Sequence, residues 1–250
     1  MSEDFYGISF LYDRNIIFLD HSCMSTLSVV ELETAANPQF SVIWLHGLGA
    51  SANDFVPIIP ELNLSSQFPV RFVFPNAPEI PVTINGGYVM PAWYDILEMS
   101  ADHRKVDQAG IQRSVEQIRQ LIAREQQRGI AASHIFLAGF SQGGAIAYQA
   151  ALTYAERVAG VMALSTYIPD PQILQAQFNA VQQQLPVLIA HGQYDGVVPL
   201  SMGQSACAVV QQLGCVVSWH EYAMEHQVCL EEIRAIGNWL SLQFQSLKNL

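Results

Sequence analysis

His134-Ile135-Phe136-Leu137-Ala138-Gly139-Phe140-Ser141-Gln142-Gly143-Gly144 is the stretch of this 250-residue chain that decides its fold. The run His134 to Ala138 is short and apolar, as a buried strand is. From Gly144 through Glu156 the chain is apolar almost all round and rich in alanine, which predicts a buried helix. Between them stands G-x-S-x-G, and strand, G-x-S-x-G, helix is the context of a nucleophile elbow. There the serine occupies a sharp, strained turn with its hydroxyl exposed, and the glycines on either side let neighbouring backbone pass. The pentapeptide alone is a weak signal, because a serine at a strand-to-helix turn can simply cap the helix. Its flanks and the partners identified below separate the two readings.

Working outward, the rest of the chain alternates strands with helices. Ser41-Val42-Ile43-Trp44-Leu45 is continuously apolar, as a strand buried on both faces of a parallel sheet is, and it runs into the glycine turn His46-Gly47-Leu48-Gly49. Asn53 or Asp54 is placed to cap a short helix through Ile59, closed by Pro60. Val70 to Phe74 reads as the next strand. Pro75 to Asp102 reads as a long loop with four prolines (Pro75, Pro78, Pro81 and Pro91), Gly86-Gly87, and the aromatics Tyr88, Trp93 and Tyr94; long ordered loops are usually functional. Val106 to Arg128 is amphipathic, with Ile111, Val115, Ile118 and Ile122 on one face and Gly129 at its end. Beyond the elbow come strands at Val158 to Leu164, Pro186 to Ala190 and Cys215 to Tyr222. Helices are predicted at Ile173 to Gln184, Ser201 to Leu213 and Val228 to Leu247. Thr26 to Glu33 alternates weakly and suits an edge strand. The pattern predicts an α/β fold with a mostly parallel, doubly wound sheet and helices on both faces, a single domain over residues 24–250. Residues 1–23 fit none of it, and Met24 is the expected biological start.

Bulk properties narrow the function. Half the residues are apolar, enough for a sizeable core, and the formal charge is −11 with only 11 Lys plus Arg. Nucleic acid and anionic membrane surfaces are thereby disfavoured, since both need basic clusters. Cys23, Cys207, Cys215 and Cys229 show no C-x-x-C spacing and read as free thiols of a reducing compartment. An acidic start at Glu3-Asp4 lacks the charge pattern of a signal peptide, and no apolar run reaches a transmembrane length, so the cytoplasm is the expected location.

A serine hydroxyl needs an adjacent base, itself oriented by an acid. In hydrolases built on such an elbow the three follow in the order Ser, Asp or Glu, His, each after the C-terminal end of a strand. Asp195, in His191-Gly192-Gln193-Tyr194-Asp195, follows one predicted strand, and His226 follows another. Singly, Asp195 would more often be a turn residue, His226 a surface histidine, and His191 a structural one. His220 also follows Asp195, but it lies within a strand, whose alternating geometry cannot readily aim it at Ser141. The oxyanion formed on attack needs two backbone donors, for which Gln142 N–H and Leu48 N–H are the candidates.

His46-Gly47-Leu48-Gly49, Pro91-Ala92-Trp93-Tyr94-Asp95, Gly139 to Gly144, His191 with Asp195 and Pro199, and Met224-Glu225-His226 together resemble the acyl-protein thioesterase and carboxylesterase family of α/β-hydrolases. The resemblance runs from about Thr26 to the C-terminus. It implies Ser141, Asp195 and His226 as a catalytic triad acting on carboxylic esters or thioesters through an acyl-enzyme. It implies an acyl pocket partly walled by the proline-rich loop, with Met90 and Trp93 as candidate lining residues, no cofactor or metal, and often a homodimer. Two features depart from the family pattern: residues 1–23, and Tyr194-Asp195-Gly196 where an aspartate-proline pairing is usual. A protein or lysophospholipid deacylase fits the same residues. A non-catalytic binding protein of this fold would be expected to carry a broken triad.

Overall fold

The computed structural model describes residues 27–100 and 104–249. Its sheet strands are β1 (Val29–Glu33), β2 (Phe40–Leu45), β3 (Val70–Pro75), β8 (Ile135–Phe140), β9 (Gly160–Leu164), β10 (Pro186–Gly192) and β11 (Val216–Tyr222). Two small hairpins lie between β3 and β8: β4 (Glu79–Val82) with β5 (Tyr88–Pro91), and β6 (Ile96–Met99) with β7 (Arg104–Val106). The helices are α1 (Gln108–Gln127), α2 (Gln142–Leu152), α3 (Pro171–Gln177), α4 (Leu200–Gln212) and α5 (Leu230–Lys248). The sheet order is β1-β3-β2-β8-β9-β10-β11. Every pairing is parallel except that of the edge strand β1 with β3.

The continuous apolar runs fall where both faces are covered. In β2, Ile43 and Leu45 face the core shared with α1, α2 and α4. Val42 and Trp44 face the core shared with α5 and the 3-10 turn Val56–Leu62. Alternation along the strand therefore feeds two cores rather than one core and solvent. The amphipathic stripe of α1 is buried at Ile111, Val115, Ile118 and Ile122, and Gly129 ends that helix at φ +93°. At the C-terminal end of the same stripe, the fully buried Glu125 accepts hydrogen bonds from Arg71 (2.9 Å) and Arg128 (2.9 Å). Arg71 and Arg128 also pair with Glu33 and Glu31 of β1, so an ion-pair network ties the edge strand to the helix layer.

Several expectations are corrected. Neither Asn53 nor Asp54 caps a helix: the 3-10 turn begins after Phe55 with no side-chain cap, Pro60 lies inside it, and Asp54 instead accepts from Ser51 at 2.7 Å. The span Pro75 to Asp102 is no simple loop. Glu79–Val82 pairs with Tyr88–Pro91 across the Gly86-Gly87 turn, in strands four residues long and too short to show a period, and Ile96–Met99 pairs with β7. The helix expected at Ile173 to Gln184 splits into α3 and a 3-10 turn at Ala180–Gln182. The Asn179 side chain caps that second turn, accepting from Val181 N–H at 3.1 Å. Helix α2 stops at Leu152, short of Glu156. Among the described cysteines, Cys207, Cys215 and Cys229 are free. Expectations for residues 1–23, for Met24 and for Cys23 lie outside the described residues.

Candidate active site

Ser141 stands between β8 and α2 at φ +54°, ψ −121°, a conformation costing a non-glycine residue on the order of 1–3 kcal/mol. The surroundings hold it there. Ser141 N–H donates to Leu164 O at 2.9 Å, and the Thr166 hydroxyl donates to Ser141 O at 2.6 Å. The two motif glycines are required by close approach: a Cβ on Gly139 would lie 2.4 Å from the Gly143 backbone, and one on Gly143 would lie 2.5 Å from His46 O.

Three loops after the C-terminal ends of β8, β10 and β11 bring the side chains together. His226 Nε2 lies 2.9 Å from Ser141 Oγ, and His226 Nδ1 lies 2.7 Å from Asp195 Oδ2. An ionised carboxylate can only accept, so Nδ1 carries the proton and the Nε2 lone pair faces the serine hydroxyl. The other carboxylate oxygen, Asp195 Oδ1, accepts from Val197 N–H (2.9 Å) and Val198 N–H (2.7 Å). Burial alone would push this carboxyl up. The His226 hydrogen bond and the Val198 and Val197 amides outweigh it and hold Asp195 below the usual carboxylate range. His191 is fully buried; its Nε2–H donates to Val198 O at 2.8 Å and sits 3.6 Å from Asp195 Oδ2. Burial lowers its pKa, so it braces the acid loop as a neutral ring. His220 lies in β11, where its ring stacks on Tyr222 at 6.4 Å between centroids.

The glycine turn after β2 reaches the same place. Gly49 N–H donates to Pro91 O (2.8 Å) and Ala50 N–H to Gly47 O (3.2 Å), whereas among the described residues Leu48 N–H has no such acceptor. Gln142 N–H is the first amide of α2, a position with no intrahelical acceptor. Both residues line the cavity at Ser141. His46 fixes the turn: its Nε2 accepts from Ala77 N–H (3.0 Å), so its Nδ1–H donates to Gly47 O (2.7 Å), and burial keeps the ring neutral by lowering its pKa. The Gln142 side chain adds a brace that spacing could not reveal. Its Oε1 accepts from Trp93 N–H (2.8 Å) and its Nε2 donates to Tyr94 O (2.7 Å).

The cavity holds about 500 Å3. Ile84, Asn85, Ile96 and Met99 of the hairpin segment contribute to its wall, as do Phe55, Phe140, Val197 and Val198. Met90 and Trp93, expected to line the pocket, are not among the residues that line this cavity. Trp93 is 1% exposed and packs behind the glycine turn, its indole N–H donating to His46 O at 2.8 Å. Met90 approaches Gly49 and Asn85 instead. Thr166, Arg104 and Tyr167 are further neighbours of the site that no motif in the sequence marked. Among the described residues no helix is long and apolar enough to cross a membrane.

Such a relay can take a proton from a serine hydroxyl and return it to a leaving group, beside two amides able to receive an oxyanion. Comparison with known proteins points the same way. The profile of the phospholipase/carboxylesterase family matches residues 26–244. Acyl-protein thioesterase 1 of Yarrowia lipolytica is 34% identical over 221 residues, covering 87% of this chain and 97% of that protein. A probable carboxylesterase SOBER1-like of Arabidopsis thaliana is 33% identical over 233 residues, covering 92% of this chain and 88% of that protein. The crystal structure of Arabidopsis thaliana SOBER1 superposes with a TM-score of 0.76 at 29% identity, over 82% of this chain and 98% of the other.

Proposed function

The chain belongs to the phospholipase/carboxylesterase family of α/β-hydrolases, and from that premise we propose that Ser141, His226 and Asp195 hydrolyse carboxylic ester or thioester bonds through an acyl-enzyme. The observation that carries this reading is the unbroken relay from Asp195 Oδ2 through His226 to Ser141 Oγ, at 2.7 and 2.9 Å.

The chemistry follows from the geometry. As Ser141 Oγ bonds to the substrate carbonyl carbon, His226 Nε2 takes its proton, and Asp195 stabilises the imidazolium without accepting that proton. Negative charge gathers on the former carbonyl oxygen, where Leu48 N–H and Gln142 N–H donate to it. Collapse breaks the bond to the alcohol or thiol, which leaves with the proton from His226. Water then repeats the sequence on the ester of Ser141, releasing a carboxylic acid and restoring the hydroxyl.

A protein or lysophospholipid deacylase is the alternative within this chemistry, and the relatives named acyl-protein thioesterase support its protein form. A non-catalytic role is disfavoured by the intact relay. The free thiols among the described cysteines support a reducing, cytoplasmic setting. Size-exclusion chromatography tests the homodimer that the resemblance implies. The function itself is tested with a fluorophosphonate probe and p-nitrophenyl acetate. The wild type should be labelled at one site and turn over the ester, and Ser141→Ala should do neither while retaining its circular dichroism. Labelling that persists in Ser141→Ala would place the nucleophile elsewhere.

A further inference from the structure

Two side chains of the catalytic cavity also belong to a second one. Arg104 and Tyr167 line the 500 Å3 cavity that holds Ser141 and His226. They also line a second cavity of about 280 Å3, bounded by Ile168, Pro169 and Pro171 and by the first turns of α4. Both residues are buried, at 5% and 3% exposure, and the Arg104 guanidinium carbon lies 5.9 Å from the centre of the Tyr167 ring.

The pair is anchored as a wall is. Arg104 donates to Ser100 O and to Val197 O, the latter on the loop whose amides hold Asp195. Tyr167 OH is 2.9 Å from the hydroxyl of the fully buried Tyr94. On the Ser141 side the approach is apolar, through Ile96, Met99, Val197 and Val198. An acyl chain growing along that approach gains burial with each methylene until it meets the guanidinium and the ring. To pass, it would have to strip polar groups of their carbonyl partners, which an apolar chain cannot replace.

We propose, on the reading of the chain as an acyl hydrolase, that Arg104 and Tyr167 are the end wall that sets the longest acyl chain the site buries. The second cavity is then space that a longer chain fills only once the wall is opened.

Chain-length profiles test this, with kcat/KM measured on p-nitrophenyl esters from butanoyl to hexadecanoyl below their micelle concentrations. In the wild type kcat/KM rises with chain length and then levels or falls. Tyr167→Ala moves that break to longer chains and raises the dodecanoyl-to-butanoyl ratio about tenfold, the return from burying roughly two more methylenes. Tyr167→Phe, which keeps the ring, retains the wild-type profile. Ser205→Trp, which fills the second cavity, leaves the wild-type profile unchanged but cancels the gain in the Tyr167→Ala background. A folded Tyr167→Ala with an unchanged ratio overturns the proposal. So does a loss of long-chain turnover in Ser205→Trp alone, which needs no variant of the wall and remains decisive if Tyr167→Ala fails to fold. Labelling of Ser141 by a small fluorophosphonate separates the two levels. With Ser141 labelled and butanoyl ester hydrolysed, an unmoved ratio refutes the wall alone. With neither seen in the wild type, the hydrolase reading fails and takes the wall with it.

Discussion

Glu232 offers a perturbation whose size the structure fixes. It lies in the first turn of α5, just past the loop that carries His226, and its side chain is fully buried with neither carboxylate oxygen in a well-formed hydrogen bond. Burial pushes its pKa from 4.5 up to about 8, and the nearby Cys229 amide offsets only part of that. Tyr222, itself raised to about 12 by burial first and by Glu232 second, adds no compensating charge. Between these two values the unfolded chain releases the Glu232 proton and the folded chain keeps it. The folded state thus binds more protons, and stability falls as pH rises. At about 1.4 kcal/mol per unit, this one group removes up to roughly 5 kcal/mol between pH 4.5 and pH 8. Glu232→Gln abolishes the titration but buries an amide without partners, a cost of about 1–3 kcal/mol at every pH. The two stability curves should therefore cross, with the wild type the more stable at pH 5 and Glu232→Gln the more stable at pH 8. Urea denaturation followed by circular dichroism at pH 5, 6, 7 and 8 measures the difference. A difference that stays constant across that range would refute the buried, proton-holding carboxyl.

Other expectations concern the relay and its supports. His226→Ala should lower kcat by several powers of ten, whereas His220→Ala should cost about 0.5–3 kcal/mol of stability and little turnover; exchanged outcomes would reassign the base. Glu125→Ala removes the anion shared by Arg71 and Arg128, and urea denaturation should register a loss of about 3–5 kcal/mol, with a loss below 1 showing the network to be dispensable. His191→Leu strips Val198 O of its donor and loosens the amides that hold Asp195, so ester kcat should fall about tenfold with KM little changed. His191→Gln, which can still donate, should recover most of it; equal defects in both would make the role one of packing.

What the sequence disclosed and what it hid divide along physical lines. Long apolar runs such as Ser41 to Leu45 and Pro186 to Ala190 announced buried parallel strands, because burial on both faces leaves no polar alternation to confuse the reading. Ser141, Asp195 and His226 were legible through order and loop position, since each sits just past a strand end. The hairpin segment was not: its strands of three and four residues are too short to display a period, and Pro81, Gly86, Gly87 and Pro91 break up its pattern. Trp93 looked like a pocket aromatic, yet its indole N–H is satisfied by His46 O behind the turn, a contact across 47 positions that no local pattern encodes. Arg104, Thr166 and Tyr167 stayed invisible for the same reason, because their roles arise from tertiary neighbours.

The strand order also has a kinetic meaning. Parallel neighbours cannot be joined by a tight turn, so each junction along β2-β8-β9-β10-β11 closes only after a long stretch of intervening chain has been drawn in. Such non-local closure is slow relative to helix formation. Ser141, Asp195 and His226 hang from the ends of β8, β10 and β11, so the relay comes into register only when those junctions have all formed. During refolding, recovery of helical circular dichroism should therefore run ahead of recovery of ester turnover. A fluorophosphonate added at intervals would count the molecules that have finished folding, with labelling of Ser141 serving as the clock.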